Sequence, residues 1–158
     1  MKVIGYDPYL TEERADSMVI EKVELKELFA RSDFITIHTP LTEQTKNIIN
    51  ADSIKQMKSS VRIINCARGG LVDEEALLEA LKNSKIAGAA IDVYQEEPAK
   101  HNLLFENEKI ICTPHLGAST AEAQEKVAVQ IAEQMSDFLL TGAITNACLL
   151  YTSDAADE

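Results

Sequence analysis

Basic side chains are scarce. Fifteen Lys and Arg stand against 26 Asp and Glu, leaving a net charge of −11. Such a balance argues against nucleic acid or an anionic membrane as partner, because both attract positive patches. An anionic ligand would have to be held by local devices, such as one Arg or a few backbone N–H groups. Cysteine is also scarce. Cys66, Cys112 and Cys148 are odd in number and form no C-x-x-C pair, which excludes a disulfide framework and gives zinc no ligand set. No metal site is expected, and reduced thiols point to the cytoplasm. Long apolar runs are missing too: none approaches the roughly 20 residues that cross a bilayer, and no signal-peptide core follows Met1.

What is present is alternation. The chain of 158 residues is 46% hydrophobic and 26% charged, a soluble globular balance that favours one domain. Short β-branched runs alternate with helix-period segments: strands over 2–7, 18–21, 33–40, 61–67, 86–94 and 108–114, helices over 24–32, 51–58, 73–83 and from 120 to about 140. The run "IAGAAIDVY" (86–94), apolar apart from Asp92, reads as a strand buried on both faces of a parallel sheet. This order predicts an α/β fold, a doubly wound parallel sheet whose ligands sit beyond the carboxyl ends of the strands. Strand-end residues are therefore the candidates for function: Asp7, Thr39, Cys66 to Arg68, and His115.

Each candidate has a functional and a plain structural reading. Asp7 ends the first strand, where an acid can accept hydrogen bonds from an adenosine ribose and repel a 2′-phosphate; in "YDPY" it is equally a turn acid. That first role normally follows G-x-G-x-x-G about 20 residues earlier, and the sequence contains no such motif. Arg68 follows a strand and precedes Gly69 and Gly70. Its guanidinium suits a carboxylate or phosphate, or else a surface salt bridge. His115, in "TPHLGAST", would gain a raised pKa and a fixed tautomer from a carboxylate such as Glu97, which suits proton transfer near neutral pH; such a corner histidine also occurs for structural reasons. The pairing requires two loops 18 residues apart to meet. His38 and His101 are read as bland, and Cys66 and Cys112 as small packing residues.

Five motifs in order, "GYDPY", "HTPLTEQT", "NCARGGLVDEEAL", "GAAIDVYQEEP" and "TPHLGAST", resemble the consecutive signatures of the D-isomer-specific 2-hydroxyacid dehydrogenases. The resemblance runs from residue 2 to about 147, where "GAITNA" is similar to a joint leading toward a C-terminal regulatory region. It implies a Rossmann-like NAD-binding domain, truncated at its N-terminus, and an NAD-dependent oxidoreductase. The implied reaction is oxidation of 3-phospho-D-glycerate to 3-phosphohydroxypyruvate, a step of serine biosynthesis. A glyoxylate or hydroxypyruvate reductase of the same family is the alternative, and an NAD-sensing, corepressor-like binding protein the alternative of another class.

Carried over by position, the resemblance implies a catalytic trio. Arg68 holds the substrate, His115 is general acid/base on the C2 oxygen, and Glu97 holds the histidine. It implies cofactor contacts from Asp7, Thr39, Cys66, Ala67, Arg68, Asp92, His115, Leu116, Gly117, Ala118 and Ser119, with Ser119 or Thr120 capping the next helix. The partner implied is a small 2-hydroxy acid, and the family is expected to form homo-oligomers. The expected division is a partial NAD-binding domain over 1–118, a helix returning toward a substrate domain over 119–147, and a non-native tail over 148–158. Without the glycine-rich loop, the chain alone is expected to bind NAD poorly and to turn over little.

Overall fold

The computed structural model describes residues 1–117 and 119–145. The chain divides into two compact units, Met1–His115 and the part from Leu116 onward. The first unit runs β1 (Ile4–Gly5), α1 (Glu12–Ser17), β2 (Glu21–Lys22), α2 (Leu25–Arg31), β3 (Phe34–Ile37), α3 (Ala51–Lys55), β4 (Arg62–Asn65), α4 (Glu74–Lys82), β5 (Gly88–Ile91) and β6 (Ile110–Cys112). Every strand pairing is parallel. β3, β4, β5 and β6 lie side by side in chain order, and β1 with β2 forms a separate two-stranded sheet. Parallel neighbours need long crossovers; a helix lies in each of them except between β5 and β6, which the irregular stretch 92–109 joins.

The four-stranded sheet is built by burial. Ile35 pairs in register with Ile63 and Ile63 with Ala89, and all three are buried. From Ile91 to Tyr94 the chain is buried without interruption, Asp92 included. Helix α4 shows how local signals and core agree. Asp73 caps it by accepting from the Ala76 N–H at 3.0 Å, Glu74 and Glu75 occupy its first turn, and Leu77, Ala80 and Leu81 form its buried stripe. Burying one such leucine contributes roughly 1.5–3 kcal/mol. Leu77, Leu81, Ile63, Leu71 and Leu104 have no exposed surface at all.

Two expectations fail near the N-terminus. "MVIE" (18–21) is not a strand; the strand is Glu21–Lys22. Residues 18–20 are used to end α1, a helix the apolar pattern does not reveal. Ile20 N–H reaches back to the Ala15 carbonyl at 2.9 Å, and Val19 takes φ of 57°, a left-handed closure of the helix. The second departure is the split sheet. In the dinucleotide-binding strand order, the strand between the β1–β2 pair and β3 is the one that carries the glycine loop, and this sequence has no such loop. The helix expected over 51–58 ends at Lys55, where Gln56 and Met57 turn toward β4.

The second unit holds α5 (Ala121–Thr141). Of the two possible caps, Thr120 is the one used, its hydroxyl accepting from Ala123 N–H at 3.1 Å. Gly142, at φ of 74°, closes the helix. The expected stripe of Val127, Ile131, Met135, Phe138 and Leu139 is exposed along this helix. The tail expected over 148–158 lies outside the described residues.

Candidate active site

The site grows out of the carboxyl ends of β4, β5 and β6. Asn65, the last residue of β4, is buried and polar, so both ends of its amide need partners. Its oxygen accepts from Ala67 N–H at 3.1 Å and its amide nitrogen donates to the Arg68 carbonyl at 3.0 Å. This clamp fixes the loop that presents Arg68. The arginine side chain is exposed and donates to the Ala67 carbonyl at 2.6 Å. Among the described residues it makes no salt bridge, in contrast to Arg31 with Glu21 and Glu27. Gly70 then turns the chain at φ of 80°, and its carbonyl accepts the Asn47 N–H at 2.8 Å.

β5 delivers Asp92 and Tyr94, both buried. The Thr113 hydroxyl donates to Asp92 at 2.6 Å, tying the end of β5 to the end of β6. The Tyr94 hydroxyl lies 3.2 Å from the Ile91 carbonyl and 3.0 Å from the Thr113 carbonyl. Burial pushes the phenol well above its ordinary pKa, and burial likewise raises the neighbouring Cys112 thiol. Phe105 packs edge-on against the Tyr94 ring, centroids 5.4 Å apart. Behind them, Glu74 of α4 accepts from Gln95 N–H at 3.3 Å and from the Asn102 amide at 2.7 Å.

Glu97 and His115 meet. One Glu97 oxygen accepts the Tyr94 backbone N–H at 2.9 Å, and the other lies 2.6 Å from His115 Nδ1. The Tyr94 N–H first, and the histidine second, hold the Glu97 carboxyl below the usual carboxylate range. An ionised carboxylate only accepts hydrogen bonds. The short contact therefore assigns the proton to Nδ1 and leaves Nε2 as the basic nitrogen of the neutral ring. Both side chains are partly open, 43% for His115 and 34% for Glu97, so a ligand can reach them. His115 holds this place with φ of 56°, a left-handed corner in which histidine is several-fold enriched over most residues.

The remaining candidates are placed differently. Asp7 is exposed beyond β1, and its carboxylate accepts the Tyr9 N–H at 2.7 Å, so the turn reading of "YDPY" is realised. Thr39 is half-buried, its hydroxyl 3.4 Å from the Pro40 carbonyl. Cys66 is exposed, which corrects its reading as a packing residue; Cys112 is half-buried as that reading requires. Leu116, Gly117 and Ser119 belong to the second unit, where Ser119 N–H donates to the Leu116 carbonyl at 3.2 Å. Ala118 lies outside the described residues. His38 lies 2.9 Å from the Thr36 hydroxyl, and His101 is exposed in a polar loop. Among the described residues no group of three His, Cys, Asp or Glu is placed to hold a metal ion. None of their helices is long and apolar enough to cross a membrane. Sequence reasoning passed over Asn65, Tyr94, Thr113 and Glu74. For the first three the signal was a polar group inside or next to an apolar strand end; Glu74 stands in the first turn of α4.

The chain matches known proteins along most of its length. It is 51% identical over 140 residues to the D-3-phosphoglycerate dehydrogenase of Synechocystis, covering 89% of this chain and 25% of that protein. It is 45% identical over 153 residues to the human protein of the same name, covering 94% of this chain and 29% of the relative. The chain thus spans about a quarter of the length of these curated relatives. Among solved structures, a glyoxylate reductase from Paecilomyes thermophila superposes with a TM-score of 0.77 at 32% identity, over 92% of this chain and 44% of that one. The NAD complex of a D-isomer specific 2-hydroxyacid dehydrogenase from Lactobacillus delbrueckii gives 0.74 at 31% identity, over 92% and 47%. Residues 1–117 match the NAD binding domain of the D-isomer specific 2-hydroxyacid dehydrogenases. The chain belongs to that family.

Proposed function

We propose that this chain supplies the cofactor face and the proton relay of an NAD-dependent oxidation of a D-2-hydroxy acid, with 3-phospho-D-glycerate as the substrate. The observation that carries the reading is the 2.6 Å contact between Glu97 and His115 Nδ1, at the carboxyl side of the sheet where such folds bind ligands. The choice of substrate is supported by identities of 51% and 45% to relatives named for it, against 32% to the glyoxylate reductase.

Each residue has a definite task. Arg68, exposed on its clamped loop and without a salt bridge among the described residues, would hold the substrate carboxylate through paired donors. His115 Nε2 would take the C2 hydroxyl proton during oxidation, and the imidazolium so formed would return it to the C2 oxygen in the reverse direction. Glu97, ionised and oriented by the Tyr94 N–H, would stabilise that imidazolium and keep the ring from rotating. Bound NAD would supply the acceptor for the hydride leaving C2.

The residues present fit NAD in part. Asp7 offers an exposed carboxylate after β1 for a ribose diol, and buried Asp92 with half-buried Thr113 suits the carboxamide end, with Thr39, Cys66 and Ala67 between. The 158 residues contain no G-x-G-x-x-G turn for the pyrophosphate, so the chain on its own binds the cofactor weakly. Pairing of copies, residence in the cytoplasm and a place in serine biosynthesis belong to the same reading. The net charge of −11 supports the exclusion of nucleic acid.

The test is kinetic. In the full-length dehydrogenase that carries these residues, His115→Asn and Glu97→Gln are expected to lower kcat, the first by roughly 10²–10⁴-fold as for loss of a general acid/base. Turnover unchanged in both would remove the relay. Calorimetry on the 158-residue chain should find no micromolar NAD affinity, and finding it would overturn the weak-binding statement.

A further inference from the structure

Gly69 and Gly70 are adjacent but serve different needs. Gly70 has φ of 80°, and a Cβ there would meet only the Leu41 methyls at 3.4 Å. Its hydrogen atom answers a conformational demand. Gly69 lies outside the left-handed region, so other residues could adopt its backbone. Space is what forbids them. A Cβ at 69 would stand 2.8 Å from Gln95 N and closer still to the carbonyl carbon and oxygen of Tyr94. These are backbone atoms and cannot swing aside. The loop that presents Arg68 therefore lies directly against the peptide joining Tyr94 to Gln95.

Tyr94 is also the hub of the acid side. Its N–H holds Glu97 at 2.9 Å and its hydroxyl lies 3.0 Å from the carbonyl of Thr113, two residues before His115. On the opposite side, Asn65 clamps Ala67 and Arg68. We propose that Gly69 is a positioning residue: its bare backbone seats the arginine loop on Tyr94 and thereby sets where Glu97 and His115 stand relative to Arg68. Only the kinetic part of the test rests on the catalytic roles given above.

The first readout needs no turnover. In the 158-residue chain with labelled carboxyl carbons, Gly69→Ala should shift the Tyr94 amide signal and move the Glu97 titration upward, toward the ordinary carboxylate value. Asp92 and His115 are the other titrating groups acting on Glu97, so their signals are followed together. Gly70→Ala, strained but clear of Tyr94, should leave the Glu97 titration in place. A folded Gly69→Ala chain whose Glu97 titrates as in the parent overturns the proposal.

Should Gly69→Ala not fold, the coupling is read from its other end, since it must be mutual. Glu97→Ala, an exposed substitution, should shift the amide signals of Arg68 and Gly69 and speed their exchange; unchanged signals overturn the proposal. In the full-length enzyme, Gly69→Ala should lower kcat tenfold or more, but less than twofold when Glu97→Gln is already present. An equal loss in both backgrounds overturns positioning through Glu97. A flat kcat beside a moved Glu97 titration supports the seat and removes the catalytic assignment instead.

Discussion

Ile63 and Leu77 in the four-stranded sheet and its helix have no exposed surface, whereas Ile4 and Gly5 of the β1–β2 sheet are only half-buried. Within residues 1–24 the buried apolar side chains are Ala15 and Val23. Charge takes a larger share there. Glu21 of β2 accepts a forked pair of hydrogen bonds from Arg31 at 2.8 and 2.9 Å and also meets Lys2. The two sheets present functional candidates at the same end of parallel strands, on unlike foundations. Glu97, His115 and Asp92 rest on a core that excludes water, and Asp7 rests on a surface turn. Under the proposed roles, proton transfer tolerates little misplacement, and the pair assigned to it has the firmer foundation.

The comparison can be broken most directly in the core. Ile63→Ala should cost about 2–5 kcal/mol in denaturant unfolding, while Ile4→Ala should cost less than half as much. Equal losses would mean that the two sheets share one foundation. A smaller effect concerns Asp7. Asp7→Asn keeps an acceptor for the Tyr9 N–H and removes the charge, so the turn survives. The preference of the full-length enzyme for NAD over NADP should then fall about tenfold, roughly 1.4 kcal/mol; an unchanged ratio would confine Asp7 to its turn.

The smallest effect is one of acid. Arg31 and then Lys2 hold the folded Glu21 carboxyl down to about 2, against roughly 4.3 in an unfolded chain. A depressed carboxylate contributes stability above the unfolded value and loses it as pH falls toward the folded one. At about pH 3, the Glu21 and Val23 amides, which pair with Val3 and Gly5, should lose exchange protection before those of Ala87 and Ala89 in the larger sheet. Added salt should shrink the gap, because these charges face solvent. Uniform loss across both sheets would erase the distinction.

Much of this was legible beforehand where one physical signal dominated. The largely apolar run at 86–94 was read as a buried strand and holds β5, and the pairing of Glu97 with His115, which spacing alone left open, was implied by the family resemblance. Helix α1 was illegible because its single buried residue, Ala15, leaves no apolar period to read. Its signal was the Thr11 cap with Glu12 and Glu13 behind it, which also explains why "MVIE" misled: apolar residues that close a helix look like a strand. Tyr94, Asn65 and Thr113 were missed for a different reason. Tyr94 and Thr113 are tied to partners brought close by the parallel sheet, and no spacing rule in the chain announces a carbonyl 19 residues away; Asn65 makes local bonds whose need arises only from its burial.

The φ of 56° at His115 has a practical result for anyone varying that position. A library of replacements would be sorted twice, and backbone fit would act before chemistry. Glycine and asparagine enter this corner readily, whereas valine and isoleucine are shut out by their branched side chains. A dead valine variant would therefore report a misshapen turn, and the silent but well-folded asparagine variant is the one that speaks for the imidazole.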